Sequence, residues 1–171
     1  MANGPFLNFL RNQRIKGMEL AAASDILQLV PVNGPLGEPQ LYIARFHCKS
    51  LVKQSAGQIV PSDLSQVAIA FHDDHLRRAD NYEVLTWMHP HNAFHPNIRP
   101  PVICVGERFM TRGKGLVEIL YQLHSVIIFN KWAAARGLNE EACQWARRHS
   151  GLFPTDPRPL KRRRIEVEMC V

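Results

Sequence analysis

The chain has no apolar run approaching the length of a membrane span, so no transmembrane helix is expected. Its first residues, Met1-Ala2-Asn3-Gly4-Pro5, lack a basic stretch followed by an apolar core, so no signal peptide is expected. The four cysteines (Cys48, Cys104, Cys143 and Cys170) have no paired short spacing. That argues against a disulfide framework and for free thiols in a cytoplasmic protein. There is no glycine-rich phosphate loop, so the chain has no means of its own to activate a carboxylate with a nucleotide, and no cofactor is expected. There is no internal repeat. Acidic residues are the minority, 15 against 21 Lys and Arg, which leaves a formal charge of +6. Part of that excess is one block, Lys161-Arg162-Arg163-Arg164, with no aromatic residue interleaved. Without such aromatics a nucleic-acid partner is not expected. The block reads as a solvated tail or as a dock for an acidic partner.

What remains is an ordinary globular composition, with 171 residues of which 46% are hydrophobic, enough for one domain with a sizeable core. Apolar positions from Phe6 to Leu20 at partly helical spacing predict an N-terminal helix over residues 5–23, with Pro5 in its first turn. Strands are expected at residues 26–32, 40–53, 67–71 and 82–88, linked by a turn cluster at 33–39, a loop at 57–65 and a polar stretch at 72–81. Four successive strands with turn-rich links favour an antiparallel meander. From Gly115 the period changes. Leu116, Ile119, Leu120, Leu123, Val126, Ile127 and Trp132 predict a long buried helix over residues 114–135, stopped by Gly137. Asn139 is the N-cap expected for a last helix over residues 140–149, with acids in its first turn and arginines in its last. The fold class is α+β, with residues 1–150 as the domain and 151–171 as a Pro-rich, basic, weakly ordered tail.

Chemistry concentrates in His95-Pro96-Asn97-Ile98-Arg99-Pro100-Pro101-Val102-Ile103-Cys104. A cysteine thiolate is a strong nucleophile and a good acyl leaving group, so it both accepts an acyl group and surrenders it to an amine. Asn97, seven residues earlier, offers an amide to the oxyanion that develops on the attacked carbonyl or, alternatively, braces the turn. Pro96 fixes the turn's φ. His95 ties the turn to its neighbours rather than acting as a base. A rival grouping is metal-ligating: His89, His91 and His95 lie within seven residues, with Cys104, His72 or Asp73 as a fourth ligand. Pro90 and Pro96 interrupt it, and no metal is expected. Cys48 and Cys143 read as buried spectators, and Cys170 as an exposed tail thiol.

The His-Pro-Asn-Ile, short turn, Ile-Cys pattern resembles the active site of ubiquitin-conjugating enzymes, and the helix, meander, active-site turn, helix, helix order resembles their fold over residues 5–150. The resemblance implies a UBC-like, four-stranded antiparallel meander flanked by an N-terminal helix and C-terminal helices. It implies an acyltransferase that carries the C-terminus of a protein donor as a thioester on Cys104 and passes it to a target lysine, with Asn97 and His95 in the catalytic turn. The family's acidic or polar residue that helps the incoming lysine lose its proton is matched by Asn139 or Glu140. The eukaryotic pattern carries one more residue and a glycine where Arg99-Pro100-Pro101 stands. It also has a Tyr-Pro…Pro-Pro element before the fourth strand, where this chain has His75-Leu76-Arg77-Arg78-Ala79-Asp80-Asn81, and a tryptophan after the cysteine. Those departures fit a divergent, stand-alone bacterial member. In that setting the donor is a cGAS-like nucleotidyltransferase of CBASS anti-phage defence or, as the alternative, a bacterial ubiquitin-like modifier. An activating enzyme, or another source of activated donor, acts upstream.

Overall fold

The computed structural model describes residues 4–106, 108–133 and 135–163. Helix α1 (Gly4–Ala22) buries Phe6, Leu10, Gln13, Gly17 and Leu20, one stripe at three- and four-residue spacing. Four strands follow in the larger sheet: β1 (Leu27–Asn33), β2 (Pro39–Phe46), β5 (Ser65–Ala70) and β6 (Leu85–His89). They pair antiparallel in the order β1-β2-β5-β6. Between β2 and β5 the chain makes a separate hairpin, β3 (Ser50–Lys53) with β4 (Ile59–Ser62). A one-turn helix α2 (Asn81–Val84) precedes β6, and two-residue strands β7 (Ile98–Arg99) and β8 (Val102–Ile103) form the next hairpin. Helices α3 (Leu116–Ile127) and α4 (Glu140–Arg148) complete the order. The meander is thus interrupted by one hairpin, and the α+β class holds.

Alternation along β2 sends Tyr42, Ala44 and Phe46 inward, where they join Val67 and Ile69 of β5 and Leu85 and Trp87 of β6. That face meets α1 and the apolar stripe of α3. Gly17 lets the two helices approach: a Cβ there would stand 2.6 Å from Leu116 Cδ2. One turn earlier on α1, Gln13 Oε1 accepts from the Leu116 backbone N–H at 2.8 Å, satisfying a donor that the start of α3 leaves open.

Four expectations change. The strand expected over 40–53 breaks at residues 47–49. Its second half pairs with part of the segment expected as loop, because the 54–58 stretch closes a tight turn around Gly57 (φ +85°). The strand expected from residue 82 begins at Leu85, because Asp80 accepts from the Tyr82 N–H at 2.8 Å and caps a helical turn first. The long helix ends at Ile127, not 135. Phe129 turns left-handed (φ 60°), and the Lys131 N–H closes on the Ser125 carbonyl at 3.0 Å. The tail is not loose through residue 163. Leu160 is 2% exposed, the Arg162 N–H donates to the Ala23 carbonyl at 2.8 Å, and Arg158 reaches the His47 carbonyl at 2.8 Å. Arg164 and Cys170 lie outside the described residues. Among the described residues no helix is long and apolar enough to cross a membrane.

Candidate active site

The β7–β8 hairpin carries the sequence-predicted cluster. Ile98 pairs with Ile103, and the Trp87 N–H of β6 donates to the Pro101 carbonyl at 2.8 Å, which fastens the hairpin beside the main sheet. Cys104 follows β8 directly and is half-buried. Cys48 and Cys143 are buried. Burial pushes the Cys48 thiol up to about 12 and raises that of Cys143 as well, so neither is suited to act as a thiolate. Of the three described cysteines, Cys104 alone reaches solvent.

The structure brings Asn97 and Cys104 together through their backbones and one side chain. The Cys104 N–H donates to the Asn97 carbonyl at 2.9 Å, and Asn97 Nδ2 donates back to the Cys104 carbonyl at 3.0 Å. Asn97 Oδ1 accepts from the Ala133 N–H at 2.8 Å, tying in the chain that leaves α3. Both ends of the amide are engaged, and the residue is 8% exposed. Bracing is therefore a role Asn97 already performs.

His95 is sealed, 2% exposed, with its ring 4.1 Å from that of Phe129. Its Nδ1 accepts from the Asn97 N–H at 2.9 Å, which puts the proton of the neutral ring on Nε2. Burial pushes its pKa down to about 3, against a smaller opposing effect of the Val126 backbone. A neutral, enclosed imidazole of this kind locks the turn and does not reach an incoming amine.

His75 and His124 are also pushed down, in both cases chiefly by burial. Their signs agree with that of His95. Each folded-state pKa lies below the unfolded value of about 6.5, so the unfolded chain binds more protons in between. Stability from these groups is complete above about pH 6.5 and falls as the pH drops, by up to about 1.4 kcal/mol per pH unit for each histidine. Asp156, held down to about 2 by Arg158, loses its contribution only between its ordinary 3.8 and that value. The urea midpoint is therefore expected to fall between pH 7 and pH 5, before the carboxylates titrate. An identical midpoint at the two pH values would contradict this account of the histidines.

The rival histidine grouping does not assemble. His89 and His91 are exposed with rings 6.5 Å apart, while His95 is enclosed. Among the described residues no three His, Cys, Asp or Glu side chains are placed to hold a metal ion. Asn139 is the N-cap of α4, its Oδ1 accepting from the Ala142 N–H at 3.1 Å, and its own N–H donates to the Pro96 carbonyl at 3.2 Å. Glu140 is exposed and bonded to Gln144 Nε2 at 3.2 Å.

Three residues not foreseen as part of the site belong to it. Asn81 Nδ2 donates to the Ile103 carbonyl at 2.5 Å, and its Oδ1 accepts from the Val105 N–H at 3.2 Å. Gln122 of α3 donates from Nε2 to the Val105 carbonyl at 2.5 Å. Gly137 lies where the Pro96 carbonyl passes: a Cβ there would collide with that oxygen and stand 2.6 Å from Cys143 Sγ. In sequence Gly137 reads only as a helix stop. Gly137→Ala is accordingly expected to lower stability by about 1–3 kcal/mol, the usual cost of overfilling a packed site. The shift would be read as a lower urea midpoint at constant m-value, and an unchanged midpoint would show that the Pro96 turn is free to move away.

The chain matches no protein-family model and no curated protein.

Proposed function

We propose that this protein is an acyltransferase of the ubiquitin-conjugating type, with a UBC-like fold and Cys104 as its acyl-carrying nucleophile. One observation carries the reading. The half-exposed Cys104 is paired, backbone to backbone and amide to carbonyl, with Asn97 of the His-Pro-Asn turn. The element order, with an N-terminal helix, a four-stranded antiparallel sheet and later helices around that turn, supports it. The Cys104 thiolate attacks an activated donor carbonyl and displaces its leaving group, forming the thioester. A lysine amine then attacks the thioester, the C–S bond breaks, and the product is an amide plus the free thiol. The donor in this reading is the C-terminus of a cGAS-like nucleotidyltransferase in CBASS defence, and the formal charge of +6 suits a donor with an acidic face. The acceptor is a protein lysine, which fits a nucleophile half-open to solvent.

The test uses a synthetic peptide α-thioester ending in glycine as donor and intact mass as readout. The expected result is a hydroxylamine-sensitive adduct mapped to Cys104, formed faster on the folded protein than on the same chain in denaturant, and discharged to free lysine as an amide. An adduct that forms no faster on the folded chain would reduce Cys104 to an ordinary surface thiol and remove the proposal.

A further inference from the structure

Resting on the reading of Cys104 as the acyl carrier, we propose that Asn81 is a positioning residue for the transfer step. It aims the cysteine by holding the backbone on both of its sides. Cys104 leaves a strand of two residues, and a ladder that short gives the chain beyond it little rigidity. Beyond the single Cys104–Asn97 backbone bond, no strand among the described residues continues the pairing past Ile103. The Asn81 side chain takes that place: its amide N–H meets the Ile103 carbonyl and its amide oxygen meets the Val105 N–H. Those two groups straddle Cys104, so one side chain makes the pair of hydrogen bonds that an adjacent strand would make. The task requires a donor and an acceptor on one short stem, which Asn supplies and Asp or Leu does not.

Asn81 is itself held firmly. It is the first residue of α2, whose N-cap Asp80 is bonded to the Tyr82 N–H and whose Val84 is buried. From the opposite side Gln122 holds the Val105 carbonyl, and Lys131 Nζ donates to Gln122 Oε1 at 2.7 Å, which orients that amide. With Asn97 on the Cys104 carbonyl, three side-chain amides from three separate segments grip residues 103–105. Thioester aminolysis is demanding in geometry, because the amine must approach the carbonyl at about 3–3.5 Å and in line with the orbital it attacks. A cysteine whose flanking backbone drifts presents the acyl group at the wrong angle, even though its thiol stays exposed.

The experiment separates aim from exposure. Asn81→Ala and Asn81→Asp are compared with the unaltered chain in discharge of the peptide thioester adduct to free lysine and in alkylation by iodoacetamide. Iodoacetamide is a small reagent that needs an exposed thiol but no fixed approach. The expected result is a fall of about 10- to 100-fold in the kcat of discharge, with the KM for lysine and the alkylation rate unchanged. If Asn81→Ala fails to fold, Gln122→Met, which releases the Val105 carbonyl and the Lys131 ammonium but keeps both Asn81 bonds, is expected to give a smaller fall of the same pattern. Wild-type discharge rates in the variants would overturn the inference, as would alkylation falling in step with discharge, which is the signature of general distortion. Absence of any thioester on the unaltered chain is a separate outcome and overturns the functional reading together with this inference.

Discussion

Cys104→Ala is expected to eliminate thioester formation and to lower transfer by about 10⁴-fold or more, the scale seen when a covalent nucleophile is removed. It is expected to leave stability nearly unchanged. The deleted atom belongs to a half-buried residue, and the contacts that hold the segment run through backbone groups, which alanine retains: the N–H to Asn97, the carbonyl from Asn97 Nδ2, and the neighbours bound by Asn81. Cys48→Ala should show the opposite pattern. Its sulfur is fully enclosed, so truncation leaves a cavity and lowers the urea midpoint, while transfer at saturating donor persists. The pair of variants thus separates nucleophile from core filler in two assays, intact-mass detection of the adduct and urea unfolding. Retained transfer in Cys104→Ala, with the adduct mapped to Cys170 or another thiol, would take Cys104 out of the mechanism.

The parts of this site that were legible in the sequence are those close together along the chain. His95, Asn97 and Cys104 span ten residues, and a turn with prolines at 96, 100 and 101 folds back on itself locally, so type and spacing were informative. The cap at Asn139 was legible for the same reason: its partner Ala142 is three residues away. The rest of the grip is long-range. Asn81 stands 22 residues before Ile103, within a polar stretch that reads as loop, and Ala133 is 36 residues after Asn97. No local pattern marks an asparagine whose partners are distant backbone groups. The early end of α3 was hidden because the run Ile127-Ile128-Phe129 continues the apolar content without continuing the helix. Its ring contacts explain the stop, since turning left-handed at Phe129 brings that ring onto His95 and Phe153. Up to residue 163 the tail is more ordered than its prolines and charge predict. Those features describe segments that cannot bury enough apolar surface, whereas through residue 163 one buried leucine and hydrogen bonds to the Ala23 and His47 carbonyls hold the described part in place.

Asn97→Ala is expected to lower stability and both chemical steps together. Removing the amide leaves the Ala133 N–H and the Cys104 carbonyl without their partners at a site only 8% exposed. Each group left unpaired in such a setting costs about 1–3 kcal/mol. In a chain of this size each kcal/mol lowers the melting temperature by about 2–4 °C. The same loss frees the segment after α3 and loosens the backbone of Cys104, so loading of the peptide thioester and discharge to lysine should decline by similar factors. Asn97→Asp refines the test. Its carboxylate still accepts from the Ala133 N–H, but it no longer donates to the Cys104 carbonyl and sets an oxygen against that oxygen. It should therefore lose activity as Asn97→Ala does while losing less stability. A contrasting role makes a contrasting prediction. The amide carries two N–H bonds, and one is committed to Cys104. If the second stabilises the oxyanion of the tetrahedral species, discharge should drop by about 10²-fold or more at unchanged loading and an unchanged melting temperature. Melting temperature, loading rate and discharge rate measured on one preparation distinguish the two, and the second pattern would overturn bracing as the principal role of Asn97.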